Sequence, residues 1–410
     1  MMAGTRFLYV CLLTIMAAGL SIVSQKFGGF RGVDLARVLA SRPFEYAPKV
    51  VKYFVLLLFL VNVRSWPLAW HFYVWRPVFQ LRGRYYLHTL RHSLSPARIR
   101  QQKKLEWLEN LSPVGRNPFD LTVTYHTWAG PDDCDFNLHL SNSSYPKHLD
   151  GARFKLALQL SPTFFRTGGW MGLGATHFTF LREIPMFSRY EMRASILSWD
   201  SKWIFVATRF VTKPKKGKVK AKKAVAPPTS SGSPSADGAP NASLHTATGV
   251  VSGTATPQVV NGTNGNPNLA SLAAQIVDRP EPDGATVHCL AISEVVGKIG
   301  RITVPPGLIL AVDGFSRAPD VPGAQAWSHA NPPPHWETVR KLRGHASPDG
   351  SAKKGSLTVL RDFYTGRWRE VPEGERWWED ALGGEVEERR LRGLGCMQAL
   401  RKGVEEARTI

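Results

Sequence analysis

The clearest pattern of apolar and polar positions begins at Asp120. In DLTVTYHTWA, Leu121, Val123 and Tyr125 fall on one face, the period of two that marks a strand with one buried side. After the turn-rich GPDDCDFN the period changes. Tyr145, Leu149, Ala152, Leu156 and Leu160 are spaced by three and four, which predicts one buried stripe of a helix over 143–160. Asn142, Ser143 and Ser144 supply N-cap chemistry just upstream, and Pro146 is tolerable only in a first helical turn. Strand-like runs follow at 176–183, at 188–197, at 203–212 and at 285–296. In the second of these, Tyr190, Met192, Ala194 and Ile196 alternate with Glu191, Arg193 and Ser195. One apolar helix followed by antiparallel strands is an α+β arrangement in which the sheet buries the helix.

Two tracts break this pattern. Residues 213–284 open with KPKKGKVKAKK and continue through Pro, Ser, Thr, Ala, Gly and Asn, too poor in apolar side chains to offset chain entropy, so they predict a disordered insert. A fold tolerates such a loop because closure entropy grows only with the logarithm of its length. At the N-terminus, Phe7–Ser24 is uncharged between Arg6 and Lys26, close to the ~20 residues that cross a hydrocarbon core. A second run, Tyr53–Val63, leads into SWPLAWHFYVW and then Arg76, Arg82 and Arg84, aromatics and arginines suited to a headgroup layer. The expected organisation is a membrane anchor region over 1–85, a linker over 86–118, a folded domain over 119–312, an irregular linker over 313–359, and an aromatic and helical tail over 360–410. In that tail Leu391, Leu394, Met397, Leu400 and Val404 predict a packed helical stripe.

Charge changes the picture little. The net charge is +20, but the excess sits beside the apolar N-terminal runs and in the Lys run at 213–223, so it is assigned to membrane flanks and no nucleic-acid partner is expected. Cys11, Cys134, Cys289 and Cys396 form neither a CxxC pair nor a zinc-spaced cluster; no metal and no cofactor are expected. There is no G-x-S-x-G elbow, and the glycines of GGWMGLG (168–174) lack a phosphate-loop ending, which leaves a flexible loop or bend as their expected form.

Candidate chemistry concentrates in Asp133-Cys134-Asp135-Phe136-Asn137-Leu138-His139-Leu140-Ser141-Asn142-Ser143-Ser144-Tyr145, followed by Asp150-Gly151-Ala152-Arg153. A loop with two acids, a His and an Asn runs straight into a helix N-terminus, whose unpaired N–H groups suit a developing oxyanion. A nearby carboxylate could activate water or attack an acyl carbon. The same residues also have plain structural roles: Asp133 and Asp135 as turn acids, His139 as a hydrogen-bonded loop residue, Asn142 as a cap, and Arg153 as the partner of Asp150.

The segment resembles the D-x-D-x-x-x-H-x-N-N-x-x-Y signature, with a later A-R, of hotdog-fold acyl thioesterases. It is similar in particular to the membrane-anchored thioesterase superfamily member 6 group and its fungal relatives, over 118–212 and 285–312. The resemblance implies a hotdog fold, an antiparallel sheet wrapped around a central helix. It makes Asp135 the catalytic carboxylate, with His139 and Asn142 shaping the loop, and it points to Ser143, Ser144, Tyr145 and Arg153 as substrate-binding residues. Ser141 departs from the pattern, since the family has Asn there. The implied function is a membrane-anchored acyl-CoA thioesterase, working as a homodimer on an acyl thioester, in a membrane with one or two spans; the endoplasmic reticulum is favoured over the mitochondrion. The alternative is a catalytically silent hotdog domain that binds acyl groups as a membrane-tethered scaffold.

Overall fold

Five strands form the framework: β1 (Thr122–Trp128), β2 (Gly169–Phe180), β3 (Arg189–Trp199), β4 (Trp203–Thr212) and β5 (Thr286–Ile299), with the two-residue β6 (Ile302–Thr303) paired to β5. Their order in the sheet is β1-β3-β4-β5-β2, and the pairs β3–β4, β4–β5 and β2–β5 are antiparallel. The computed structural model describes residues 49–214, 281–320, 323–344 and 356–407. The helices within them are α1 (Lys49–Val61), α2 (Ala69–Arg91), α3 (Ala97–Glu109), α4 (Ser144–Leu160), α5 (Pro162–Arg166), α6 (Pro306–Val312), α7 (Trp336–Leu342), α8 (Thr358–Thr365), α9 (Trp377–Ala381) and α10 (Glu385–Ala407). The described residues divide into two compact units. One holds 49–75, 128–148 and 184–188; the other holds the remainder.

The second unit contains the sheet. The period-two faces fold as expected: Val123 and Tyr125 on β1 and Tyr190, Met192, Ala194 and Ile196 on β3 are all buried. So is the helical stripe, with Leu149, Ala152, Leu156 and Leu160 at 0–2% exposure. Leu156 and Leu160 share one core with Ala194, Ile196, Ile204, Val206 and Ile299 of the strands. Burying each such aliphatic side chain stabilises the fold by about 1.5–3 kcal/mol, which is what holds α4 on the sheet. This is a hotdog-type arrangement, an antiparallel sheet with a central helix.

Three features depart from the sequence expectation. The glycine-rich GGWMGLG is not a flexible loop: from Gly169 onward it is the first half of β2, with a bulge between Leu173 and Ala175. The reason is steric. A Cβ on Gly174 would stand 2.4 Å from the Trp203 ring, and one on Gly169 would stand 2.6 Å from Phe164, so bare backbone lets both rings close onto the strand. Second, residues after Val312 contribute to the same core as the sheet. Phe315, Trp336, Leu360, Tyr364, Trp378 and Val386 all belong to it. Third, α10 buries Met397 of the expected stripe and half-buries Leu394 and Leu400, but Leu391 and Val404 are exposed and Val386 and Gly393 complete the buried face. Close approach at Gly393 sets that face, since a Cβ there would lie 2.4 Å from the Leu197 carbonyl oxygen. Ser198 Oγ donates to the Arg390 carbonyl (2.7 Å) and Arg390 donates to the Trp199 carbonyl (2.9 Å), locking α10 on β3.

The first unit contributes α1, whose Tyr53, Leu56, Leu57, Phe59 and Leu60 are each at least half exposed. Among the described residues no helix is long and apolar enough to cross a membrane. The expected span Phe7–Ser24 lies outside the described residues, as does nearly all of the expected insert, from 215 to 280.

One buried ion pair links the later segments of the second unit. Arg343 (2% exposed) donates to Val312 O (2.6 Å), to Ser112 Oγ (3.0 Å) and to Asp313 Oδ1 (3.4 Å). The same Asp313 oxygen accepts the Thr163 amide (3.0 Å) at the start of α5. Burial pushes the Asp313 carboxyl upward against the pull of Arg343 and of the Thr163 and Phe164 hydrogen bonds. Removing the guanidinium leaves that acid without its counter-charge, so Arg343→Met is expected to destabilise the fold by about 3–5 kcal/mol in denaturant unfolding; a loss under about 1 kcal/mol would show the pair to be dispensable.

Candidate active site

The loop between β1 and α4 is built on local hydrogen bonds that its residue types dictate. Gly130 leads into a single 3-10 turn, Pro131–Asp133, and an isolated bridge then joins Cys134 to Leu140. Between these, Asp135 closes a tight turn. Its amide donates to His139 O (2.9 Å), its carbonyl accepts from Leu138 N (3.0 Å), and its Oδ1 accepts from Asn137 N (2.8 Å) and His139 N (3.3 Å). This is an Asx-type turn, the structural role the sequence allowed for this acid. It leaves Oδ2 without a hydrogen bond among the described residues, on a half-buried side chain whose orientation two backbone amides have fixed.

The turn carries strain. Leu138 has φ +65° and Phe187, on the facing segment 184–188, has φ +63°; left-handed backbone at such bulky residues costs on the order of 1–3 kcal/mol each. Cross-segment bonds hold them in place: Met186 N to Leu138 O (2.9 Å), Leu140 N to Ile184 O (2.8 Å) and Phe187 N to Ala129 O (2.8 Å). The strained conformation presents large apolar groups to solvent, with Phe136 80%, Leu138 57% and Phe187 61% exposed.

Asp133 is a different kind of acid. It is 1% exposed, with Lys147 Nζ at 2.8 Å from Oδ1, and His148 Nε2 at 3.1 Å and Arg64 at 3.7 Å from Oδ2. Burial alone would raise its carboxyl. The His148 contact, the Lys147 hydrogen bond and the Arg64 charge outweigh that and hold it well below the usual carboxylate range. His148 is itself pulled down by burial, so its ring is neutral near neutral pH. The Arg64 guanidinium also lies 3.1 Å from His148 Nε2. The same guanidinium donates to Trp128 O and lies over the rings of Tyr73 and Trp128, so it is fixed on every side.

The helix start is partly committed. The Ser144 amide donates to Ser141 O (2.8 Å), and the Ser141 and Ser143 hydroxyls are hydrogen-bonded at 2.9 Å. No acceptor meets the Ser143 amide among the described residues. Asn142 and Ser143 are exposed, Ser144 and Tyr145 are buried, and His139 is half-buried. In the second unit, Arg153 is engaged by three partners: Asp150 one turn earlier, Thr176 Oγ1 on β2 (3.0 Å) and Ser293 Oγ on β5 (3.1 Å). It ties α4 to two strands. Cys134 is no nucleophile, because burial and the charges of Asp133 and Asp135 push its thiol up to about 11. Among the described residues no group of three or more His, Cys, Asp or Glu side chains is arranged to hold a metal ion.

Arg64, Lys147 and His148 were not singled out as site residues in the sequence. A local signal existed for two of them. Basic residues in the first turns of a helix oppose its dipole, so Lys147-His148 at the start of α4 signals a nearby acid. Nothing local marks Arg64.

Residues 129–251 match the family model described as the thioesterase-like superfamily. A thioesterase of Purpureocillium lilacinum (lcsJ) is 26% identical over 39% of this chain and 58% of its own length. A probable thioesterase of Saccharomyces cerevisiae is 32% identical over 26% of this chain and 48% of its own, and the Xenopus laevis protein THEM6 is 31% identical over 21% and 44%. The chain thus spans about half the length of these curated relatives. Among solved structures, a 1,4-dihydroxy-2-naphthoyl-CoA thioesterase from Synechocystis superposes with a TM-score of 0.26 at 8% identity, over 47% of this chain and 96% of that one. Residues 129–251 are thus similar to the thioesterase-like superfamily, and the chain has relatives among the fungal thioesterases and the THEM6 proteins.

Proposed function

We propose that this protein hydrolyses an acyl thioester, with Asp135 as the base that activates water or as the nucleophile itself. The observation that carries this reading is the Asp135 carboxylate: one oxygen is clamped by the amides of Asn137 and His139, and the other is open beside exposed Phe136 and Leu138. A fixed carboxylate with one free oxygen is suited to proton abstraction, and the apolar groups around it suit an acyl chain. The Ser143 amide, which meets no acceptor among the described residues, is a donor this loop could offer a developing oxyanion. Asn142, Ser144 and Tyr145 shape the helix start, and His139 supplies a clamping amide. Asp133 is assigned to architecture, because three cations or donors already surround it. Arg153 is assigned to the join between α4 and the sheet. An acyl thioester such as acyl-CoA is the substrate class of this reading, in keeping with curated relatives described as thioesterases.

Two further elements belong to this reading. β2 is an end strand with exposed Trp170, Leu173 and Phe180, a free edge on which a second protomer could continue the sheet. The exposed apolar residues of α1 suit a lipid surface. The purified full chain is expected to float with liposomes and, in detergent, to show twice the protomer mass by light scattering; sedimentation away from lipid removes the membrane reading, and a single-protomer mass removes the dimer.

Asp135→Asn keeps an oxygen to accept the two loop amides but removes the base. Thiol release from an acyl-CoA series is therefore expected to fall at least about 100-fold with the melting temperature little changed. Equal thiol release from the two proteins discards Asp135 as catalyst. No release from either favours the silent, acyl-binding alternative.

Asp133→Asn is expected to act on stability instead, lowering the melting temperature at pH 7 by roughly 5–15 °C because Arg64 and Lys147 lose their counter-charge. The depressed Asp133 carboxyl contributes stability above its unfolded value of about 3.9, and that contribution is lost as pH falls towards its folded value. The gap between wild type and variant should therefore narrow below about pH 4. A gap that stays constant down to acid would contradict the ion-pair role.

A further inference from the structure

A cavity of about 650 Å³ opens in the second unit. It lies between residues 77–84 of α2, the stretch 110–116 after α3, the second half of α4, and residues 327–329. That volume falls within the ~300–1,000 Å³ usual for small-molecule sites. Leu81, Leu121, Leu158 and Trp327 give it an apolar wall. Its charged lining is Arg84, Arg116 and Lys155, with no Asp or Glu among the described residues that line it. Lys155 Nζ donates to Thr124 O at 2.7 Å, and none of the three cations has an ion-pair partner among the described residues. Burial, then the charges of Arg76 and Arg84, pull the Lys155 ammonium below its ordinary value, as expected where cations gather.

We propose that this cavity binds an amphiphile with an anionic head and an acyl tail, the head against Arg84, Arg116 and Lys155 and the tail along Leu81, Leu121, Leu158 and Trp327. The chemistry is that of a charged group desolvated on one side and matched on the other. Guanidinium and ammonium groups recognise a carboxylate or a phosphate equally well as anions, and a wall of leucine and tryptophan side chains rewards burial of methylenes. A purely apolar ligand would leave the three cations unmatched, and a bare anion would leave the apolar wall wet. None of the residues involved belongs to the Asp135 loop, so this proposal stands independently of the hydrolase reading.

Calorimetric titration of the full-length chain below micellar concentrations tests it, with oleate, oleoyl lysophosphatidate, monoolein and inorganic phosphate as probes. At least one of the two anionic amphiphiles should bind saturably, and the tighter of them identifies a carboxylate or a phosphate head. Monoolein, with the same tail and no charge, should bind at least about tenfold more weakly. The double variant Arg84→Gln/Lys155→Gln should weaken the anionic probe at least about tenfold and leave monoolein unchanged. Arg84 is exposed, so Arg84→Glu alone cannot disturb the core and should weaken the anion in the same direction. The proposal is overturned if neither anionic amphiphile saturates, if Arg84→Glu binds them as wild type does, or if inorganic phosphate competes as well as the amphiphile.

Discussion

A carboxylate withdrawn from water has to be met by positive charge and donors, and in this protein that requirement falls on Asp133. Its side chain is all but inaccessible, and the three groups that answer it come from two places: Arg64 from before α2, and Lys147 and His148 from the start of α4. An unanswered charge there would cost several kcal/mol, so the loop from Gly130 to Ser144 has little freedom once Asp133 is seated. The neighbouring turn follows from that anchor. Ser141 N donates to Asp133 O (2.9 Å), which sets where the loop re-enters the helix, and the Asp135 turn is held between the two.

The DxD pair thus divides its labour by environment. Both acids leave the same strand and stand two residues apart, yet one is buried among cations and the other keeps an open oxygen beside solvent. Two carboxylates placed in such unlike surroundings are not interchangeable. A charge already stabilised by three neighbours is a poor base, because every interaction that holds the proton off also lowers its basicity. The strained Leu138 and Phe187 fit the same picture: backbone energy is spent to turn apolar side chains outward around the less encumbered acid.

The second unit is larger than a bare sheet and helix. The segments after Val312 do not merely trail from the domain; Phe315, Trp336, Tyr364 and Trp378 enter the core that α4 and the strands share, and the Arg343–Asp313 pair ties α5, α6 and α7 together. Such additions give surfaces and hollows that the shared family framework does not dictate. The cation-lined cavity is one, with walls drawn partly from α2 and from residues 327–329.

The sequence by itself determined the elements whose physics is local. The alternation of Tyr190, Met192, Ala194 and Ile196, the stripe from Leu149 to Leu160, and Pro146 in the first turn of α4 each follow from the geometry of one strand or one helix, and each is found in the fold. The loop chemistry around Asp135 was legible as residue types in order. What only the tertiary structure decided depends on neighbours far along the chain. Arg64 meets Asp133 across a gap that no periodicity spans, and the bare backbone of Gly174 is explained only by the Trp203 ring. The spacing of apolar residues along α10 found only the middle of its buried face, at Met397, while the close contact with β3 at Gly393 set the rest. Periodicity reports which face of an element is apolar, whereas counter-charge and steric fit depend on what comes to lie against that face.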